Sequence, residues 1–174
     1  MSQKEKPFNF QLLTANTHFD EGHVEKTCEY SLANHYANSV ICSDQQIYEF
    51  IRWIQRQEFY ENTTIVASGD HLVMGEYLYQ EEKSLNERRV YNVFINPYVD
   101  YDFERLRNRT FTTLDMYPTT LASIGVRIEG NRLGLGTNLF SNKQTLPEQL
   151  GKDEVDNELS RPSNFYKNEL LYVK

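Results

Sequence analysis

The sequence predicts an α/β fold built on a mostly parallel sheet flanked by helices, and the order of its segments supports this. Three short runs rich in apolar and β-branched residues are predicted strands, at 8–14, 62–67 and 89–95. Two segments, 34–57 and 112–124, carry apolar residues at helical spacing. Strands that alternate with helices are typical of α/β domains. Three strands are few for a buried parallel sheet, so we expect the chain to be part of a larger domain.

Each of the three predicted strands ends at a different kind of segment. Residues 8–14 (FNFQLLT) are apolar enough for the interior of a sheet, and the polar loop 15–22 (ANTHFDEG) lies at their carboxyl end. The strand at 62–67 ends at a Ser-Gly break, and the strand at 89–95 (RVYNVFI) is stopped by Asn-Pro. The polar segment 76–87 is expected to form an active-site flap or a surface loop.

The two longer predicted helices rest on different signals. The first is predicted from apolar residues three, four and seven positions apart. In the second, Thr113 or Asp115 can cap the amino end, and Pro118 fits the first turn, where its missing N–H does no harm. Gly125 is predicted to end this helix.

The remainder of the chain divides into a glycine-containing loop and an acidic tail. The loop covers residues 131–141 (NRLGLGTNLFS), and a short helix is expected near residues 146–150. We therefore predict one domain over residues 1–143 and an acidic tail over residues 144–174.

Composition restricts the classes of function. The 174 residues are 39% hydrophobic and 25% charged, with a net charge of −7. This is an ordinary globular mixture with no basic stripe, so we expect no binding to nucleic acid. No apolar run approaches the roughly 18 residues that span a bilayer, and the amino terminus has no signal-peptide core. Taken as a complete protein, the chain is expected to be cytoplasmic.

Asp70 and His71, in the run TTIVASGDHLVMG, are the strongest candidates for chemistry. They come directly after a predicted strand, at the sheet edge where α/β folds bind ligands. A carboxylate and an imidazole there can both reach one divalent metal. His18 lies in the loop after the first predicted strand. If the strands are parallel neighbours, this loop lies at the same edge of the sheet as Asp70 and His71. His18 could then bind an anionic oxygen or transfer a proton.

Other catalytic arrangements are not supported. The chain has no G-x-S-x-G elbow, and its GNRLGLG stretch lacks the Lys-Ser/Thr pair of a phosphate-binding loop. Cys28 and Cys42 lie 14 positions apart. From this spacing alone, a disulfide and two free thiols are equally acceptable.

Several segments in order resemble a known family of enzymes. The segments are THFDEG, Cys28, the run from NSVICSDQQ to SGDHLVMG, RRVYNVFINP, TTLDMYPTTLASIGV and LGLGTNLFS. Together they are similar to the carboxyl-terminal half of phosphoglycerol transferases, which belong to the sulfatase and alkaline-phosphatase-like superfamily. The resemblance covers nearly the whole chain and implies part of the sandwich fold of that superfamily.

The resemblance implies a chemistry and assigns roles to residues of this chain. A threonine attacks the phosphate of phosphatidylglycerol, and a periplasmic or cell-surface glycan then accepts the phosphoglycerol. Asp70 and His71 match two ligands of a divalent metal, manganese or magnesium, and His18 matches a histidine that holds the phosphoglycerol. Cys28 and Cys42 match a cysteine pair, which favours a disulfide and an extracytoplasmic site at a bacterial membrane.

Other parts of the family pattern do not match this chain. The threonine nucleophile, an acidic metal ligand and the membrane helices lie in the amino-terminal half of the family, which the resemblance does not cover. Gly69 stands where relatives often have Ser, and Asn16 replaces an Asp. We therefore expect a fragment that is inactive alone, binds metal weakly and needs the amino-terminal half as its partner. Apolar surface left exposed would favour self-association.

Two alternatives stay open at this point. A sulfatase or phosphodiesterase would share the metal site and differ only in using water as the acceptor. A non-catalytic domain that packs on a partner would fit the lack of a nucleophile.

Overall fold

The computed structural model describes residues 7–18, 20–74 and 88–171. The predicted flap at residues 76–87 lies outside these ranges. The chain divides into two compact units, residues 1–96 and residues 97–174. None of the described helices is long and apolar enough to cross a membrane.

The first unit contains one long helix and a two-stranded sheet. Its elements are helix α1 (His35–Ile54), a 3₁₀ turn (Glu58–Asn62), strand β1 (Ile65–Ser68) and strand β2 (Asn92–Ile95). The Asn34 side chain accepts a hydrogen bond from the Ala37 N–H at 3.0 Å, as an N-cap does. The predicted helix at 34–57 is therefore confirmed, with its start at a capping residue.

The sheet differs from the prediction in its direction. Strands β1 and β2 pair antiparallel, with Ile65 opposite Ile95 and Ser68 opposite Asn92. The predicted strands at 62–67 and 89–95 exist, but the described residues form no parallel pair. Successive strands can pair in either direction, so their order along the sequence does not fix the direction of the sheet.

The prediction of a strand at 8–14 is wrong. These residues are exposed and form no ladder. Their aromatic rings contact other rings instead, with Phe8 6.3 Å from Phe59 and Phe10 6.4 Å from Phe50 between ring centroids. The apolar residues that suggested a strand inside a sheet therefore pack instead on aromatic side chains of α1 and of the 3₁₀ turn that follows it.

The second unit is a set of short elements around a polar core. They are α2 (Phe103–Leu106), a 3₁₀ turn (Thr113–Asp115), α3 (Met116–Ser123), a 3₁₀ turn (Glu129–Asn131), β3 (Arg132–Leu133), β4 (Gly136–Thr137), α4 (Leu146–Leu150), α5 (Lys152–Leu159) and a π-helix (Tyr166–Leu171). Strands β3 and β4 form an antiparallel hairpin within the predicted glycine loop.

The helix predicted at 112–124 is confirmed as a 3₁₀ turn followed by α3. Thr112 caps the 3₁₀ turn, in a capping box where the Asp115 side chain accepts from the Thr112 N–H at 2.8 Å. Asp115, one of the two predicted caps, is the N-cap residue of α3, although its side chain makes no capping hydrogen bond to that helix. Gly125 has φ +86° and ends α3 as predicted.

Buried polar groups hold the second unit together. Asp115 is 1% exposed, and its Oδ1 accepts from the Thr137 N–H at 2.7 Å. Thr119 donates to the Asp115 carbonyl and accepts from the Leu139 N–H, which ties α3 to the residues after β4. The helix predicted near 146–150 is confirmed, and two further helices come after it. The boundary after residue 143 stays a prediction.

Candidate metal centre

The Asp70–His71 loop begins where strand β1 ends. The Gly69 N–H donates to the Tyr91 carbonyl at 2.9 Å, which extends the contacts of the β1–β2 ladder by one residue. The His71 N–H then donates to Oδ1 of Asp70 at 2.9 Å. This bond is a local side chain to backbone contact of the kind that Asp makes in turns. The sheet therefore fixes where the loop starts, and the loop fixes the orientation of the carboxylate.

The imidazole of His71 is oriented by the backbone of the next residue. Its Nδ1 lies 2.7 Å from the Leu72 carbonyl oxygen, which can only accept a hydrogen bond. We therefore assign the proton to Nδ1 in the neutral ring, which leaves a lone pair on Nε2. That Nε2 lies 3.5 Å from Oδ2 of Asp70. Two atoms of the kinds that bind metals, one nitrogen and one oxygen, thus lie side by side.

This donor set fits a divalent metal in kind but not in number. Imidazole nitrogen and carboxylate oxygen are ordinary ligands of manganese and zinc, and a backbone carbonyl on the other ring nitrogen is a common outer-shell contact. The two side chains are open to solvent, at 75% exposed for Asp70 and 59% for His71. Among the described residues, no three His, Cys, Asp or Glu side chains come together around one point. Among the described residues, the pair alone does not make a closed metal site.

His18 lies on a separate loop that is packed on helix α1. Its N–H donates to the Ala15 carbonyl at 3.0 Å, and its carbonyl accepts from the Gly22 N–H at 3.2 Å. The buried Tyr36 hydroxyl donates to the Thr17 carbonyl at 3.1 Å. In the described residues His18 does not join Asp70 and His71 in a three-ligand group. Its predicted role in holding substrate stays a prediction.

Gly22 closes this loop against the helix. It has φ +72°, and a Cβ placed on it would collide with the Ser39 hydroxyl. Both facts favour glycine at this position, because other residues are strained at positive φ and any side chain would push the loop off α1. The loop that carries His18 is therefore held in one place on the helix.

Cys28 and Cys42 form a disulfide with their Cα atoms 5.6 Å apart. The bond joins the loop before α1 to a residue within that helix. The disulfide therefore ties the chain that follows the His18 loop covalently to helix α1.

One neighbour of the candidate centre was not anticipated from the sequence. The Arg88 guanidinium donates from one terminal nitrogen to the Val73 carbonyl at 2.8 Å. A bond from a side chain to a backbone carbonyl 15 positions away leaves no spacing pattern, so the sequence carried no signal for it.

Comparison with known proteins supports the resemblance that the motifs indicated. The family described as Sulfatase matches residues 1–126. Two relatives named phosphoglycerol transferase I, from Salmonella choleraesuis and Citrobacter koseri, are each 30% identical over 154 residues. Each match covers 85% of this chain and 19% of the relative, so the chain spans about a fifth of their length. No solved structure matches. The chain belongs to the sulfatase family.

Proposed function

We propose that this chain supplies part of the active site of a metal-dependent phosphoglycerol transferase. The enzyme would move phosphoglycerol from phosphatidylglycerol to a periplasmic or cell-surface glycan, at the extracytoplasmic face of a bacterial membrane. The observation that carries the proposal is the Asp70–His71 pair, with Nε2 and Oδ2 3.5 Å apart and both exposed. The name of the Salmonella and Citrobacter relatives supports the choice of reaction.

Asp70 and His71 would hold a manganese or magnesium ion through the carboxylate oxygen and Nε2. When bound, such an ion neutralises charge that develops on a transferring phosphoryl group and favours ionisation of an attacking hydroxyl. The contribution of this chain is to keep the ligands in place. The His71 N–H orients the Asp70 carboxylate, and the Leu72 carbonyl orients the imidazole. Neither ligand then has to be ordered when the ion binds.

His18 would hold the phosphoglycerol group of the donor. Its loop is bound to α1 by the Tyr36 hydroxyl and by the Asn16 amide, which donates to the Gln46 side chain at 3.1 Å. A histidine on a fixed loop can donate a hydrogen bond to an anionic oxygen at little cost in conformational entropy.

The nucleophile and an acidic ligand would come from a polypeptide segment outside these 174 residues. Two ligands do not enclose a divalent cation, so we expect weak metal binding by this chain and no transfer by the chain alone. Transfer by the purified chain, abolished by Asp70→Ala, would contradict this part of the proposal.

A chimaeric enzyme tests the proposed role. The matching segment of the Salmonella choleraesuis relative is replaced by this chain, and transfer of labelled glycerol phosphate from phosphatidylglycerol to a glycan is measured. We expect transfer by the chimaera and a loss of about 100-fold or more for Asp70→Ala or His71→Ala, as for removal of an electrostatic stabiliser.

His23→Ala is the matched control in this chimaera. Its Nε2 lies 3.7 Å from Glu25, and the side chain is 66% exposed, so it is a second exposed pair of the same chemistry. We expect full activity for this variant. Equal losses for His71→Ala and His23→Ala would reject the assignment of the metal pair.

Hydrolysis is the second candidate, because the family that matches residues 1–126 is described as Sulfatase. The same ligand pair would serve a reaction in which water replaces the glycan. Product analysis of the chimaera with and without glycan separates the two. Free glycerol phosphate in equal amounts under both conditions would favour the hydrolase.

A further inference from the structure

We infer that Arg88 is a positioning residue that keeps the Asp70–His71 loop in the conformation that binds metal. It does so through the hydrogen bond to the Val73 carbonyl rather than by touching the metal or the substrate. The inference rests on the proposed function, because it assigns an outer role in the same site.

The loop is held by the backbone at its start and by Arg88 at its end. At the start, the Gly69 N–H donates to the Tyr91 carbonyl at 2.9 Å. At the end, Arg88 donates to the Val73 carbonyl at 2.8 Å. Both partners, Tyr91 and Arg88, belong to the segment that leads into strand β2. The residues between the two bonds include the ligand pair.

The bond at Val73 acts on the residue next to the carbonyl that orients the imidazole. The Leu72 carbonyl that accepts from Nδ1 of His71 belongs to the peptide group between Leu72 and Val73. The Val73 carbonyl that Arg88 holds belongs to the next peptide group, and the two planar groups are joined by the φ and ψ angles of Val73. Holding the Val73 carbonyl restricts these angles, so Arg88 limits the orientations open to the Leu72 carbonyl.

Among the described residues, few other contacts fix this part of the loop. Asp70 and His71 are exposed, and the next apolar side chains, Leu72 and Met74, are 39% and 67% exposed. Core packing therefore contributes little to the order of the loop. Arg88 is half-buried, and a charged donor makes a stronger bond to a carbonyl than a neutral one.

The sign of the expected effect separates positioning from simple electrostatics. A cation near a metal site repels the metal, so loss of the Arg88 charge alone would strengthen binding. Loss of the hydrogen bond to Val73 would instead weaken metal binding. Arg89 provides the matched control, because it is the next residue and is exposed. Within the described part of the chain, its side chain makes no hydrogen bond or ion pair.

The test is a titration of the isotope-labelled 174-residue chain with Mn²⁺ at fixed pH, monitored by paramagnetic broadening of the His71 ring signals. We expect Arg88→Ala to weaken Mn²⁺ binding by about tenfold. This is the smallest loss of affinity that is typical when a residue that supports a metal ligand is removed. Arg89→Ala should bind as tightly as the unchanged chain or slightly more tightly. Arg88→Lys should recover part of the affinity, because an ammonium group can still donate to Val73.

A second measurement on the same samples needs no metal. Nitrogen chemical shifts of the His71 ring report which nitrogen carries the proton. Arg88→Ala should lose the preference for the proton on Nδ1, and Arg89→Ala should keep it. The amide signals of Ala67 and Val93 in the sheet should stay in place in both variants, which shows that the first unit is folded.

The outcomes distinguish the two proposals. An unchanged ring in Arg88→Ala, or equal Mn²⁺ affinity in Arg88→Ala and Arg89→Ala, overturns the role of Arg88. A ring that changes as expected, in a chain that binds no Mn²⁺ at His71, supports the positioning role and rejects the metal site.

Discussion

Replacing Glu148 with glutamine should destabilise the second unit strongly. Glu148 accepts four hydrogen bonds, from Nε and a terminal nitrogen of Arg109 at 2.7 and 2.9 Å and from the N–H groups of Thr110 and Thr145 at 3.1 and 2.9 Å. Glutamine has nearly the same shape, but its amide nitrogen cannot accept. At least one donor would then face another donor.

The size of the effect depends on burial. The side chains are 6% exposed for Arg109 and 17% exposed for Glu148. The remaining N–H groups of Arg109 donate to the carbonyls of Leu139, Ser141 and Lys143, so the guanidinium cannot leave without breaking those bonds too. Loss of the charge of Glu148 leaves a buried cation uncompensated, which costs about 3–5 kcal/mol of unfolding free energy.

Urea unfolding monitored by residue-resolved amide signals of the second unit measures this loss. Glu158→Gln is the control, since Glu158 lies 2.6 Å from Arg161 in a pair that is 43% and 65% exposed. An exposed pair of this kind is worth about 1 kcal/mol or less. Similar losses for Glu148→Gln and Glu158→Gln would refute the reasoning.

The same carboxylate predicts a dependence on pH. Burial raises the pKa of Glu148, but the hydrogen bonds from Arg109, Thr145 and Thr110 outweigh it and lower the pKa below 4.5. The unfolded chain therefore binds the proton more readily than the folded one. The stabilisation is present above pH 4.5 and is lost as the pH falls through the lowered pKa. Glu148→Gln should remove this part of the acid sensitivity of the second unit.

Three further variants test other parts of the structure. Replacing Cys28 and Cys42 with serine should lower the unfolding free energy of the first unit by about 3 kcal/mol, because the disulfide closes a loop of 14 positions, as measured by Trp53 fluorescence in urea. Gly22→Ala should cost about 1–3 kcal/mol in the same assay, since it strains a residue at φ +72° and collides with α1. Asp115→Asn should cost about 1–3 kcal/mol in the second unit, because an amide cannot accept all the bonds of that buried carboxylate.

Local patterns in the sequence predicted local structure well. Helix α1 was predicted from its apolar spacing, which acts within a few positions, and the structure adds Asn34 as its cap. The Asp70–His71 pair was chosen as a candidate because its two residues are adjacent and come after a predicted strand, and strand β1 does end just before them. The interaction that orients His71 also comes from its next neighbour, Leu72.

Pairing between distant segments was not predictable in the same way. An apolar run does not reveal its partner, so residues 8–14 could pack on aromatic rings and strands β1 and β2 could pair antiparallel. The bond between Arg88 and Val73 and the pair of Arg109 with Glu148, 39 positions apart, depend on the fold and leave no periodic signal.

The most direct test of the account is a map of Mn²⁺ binding on the 174-residue chain. Paramagnetic broadening should centre on Asp70 and His71 and should disappear in Asp70→Ala. Glu25→Ala, which removes the carboxylate of the comparable His23 pair, should leave the map unchanged. Broadening centred elsewhere, or a map that Asp70→Ala does not change, would contradict the assignment of this pair as metal ligands.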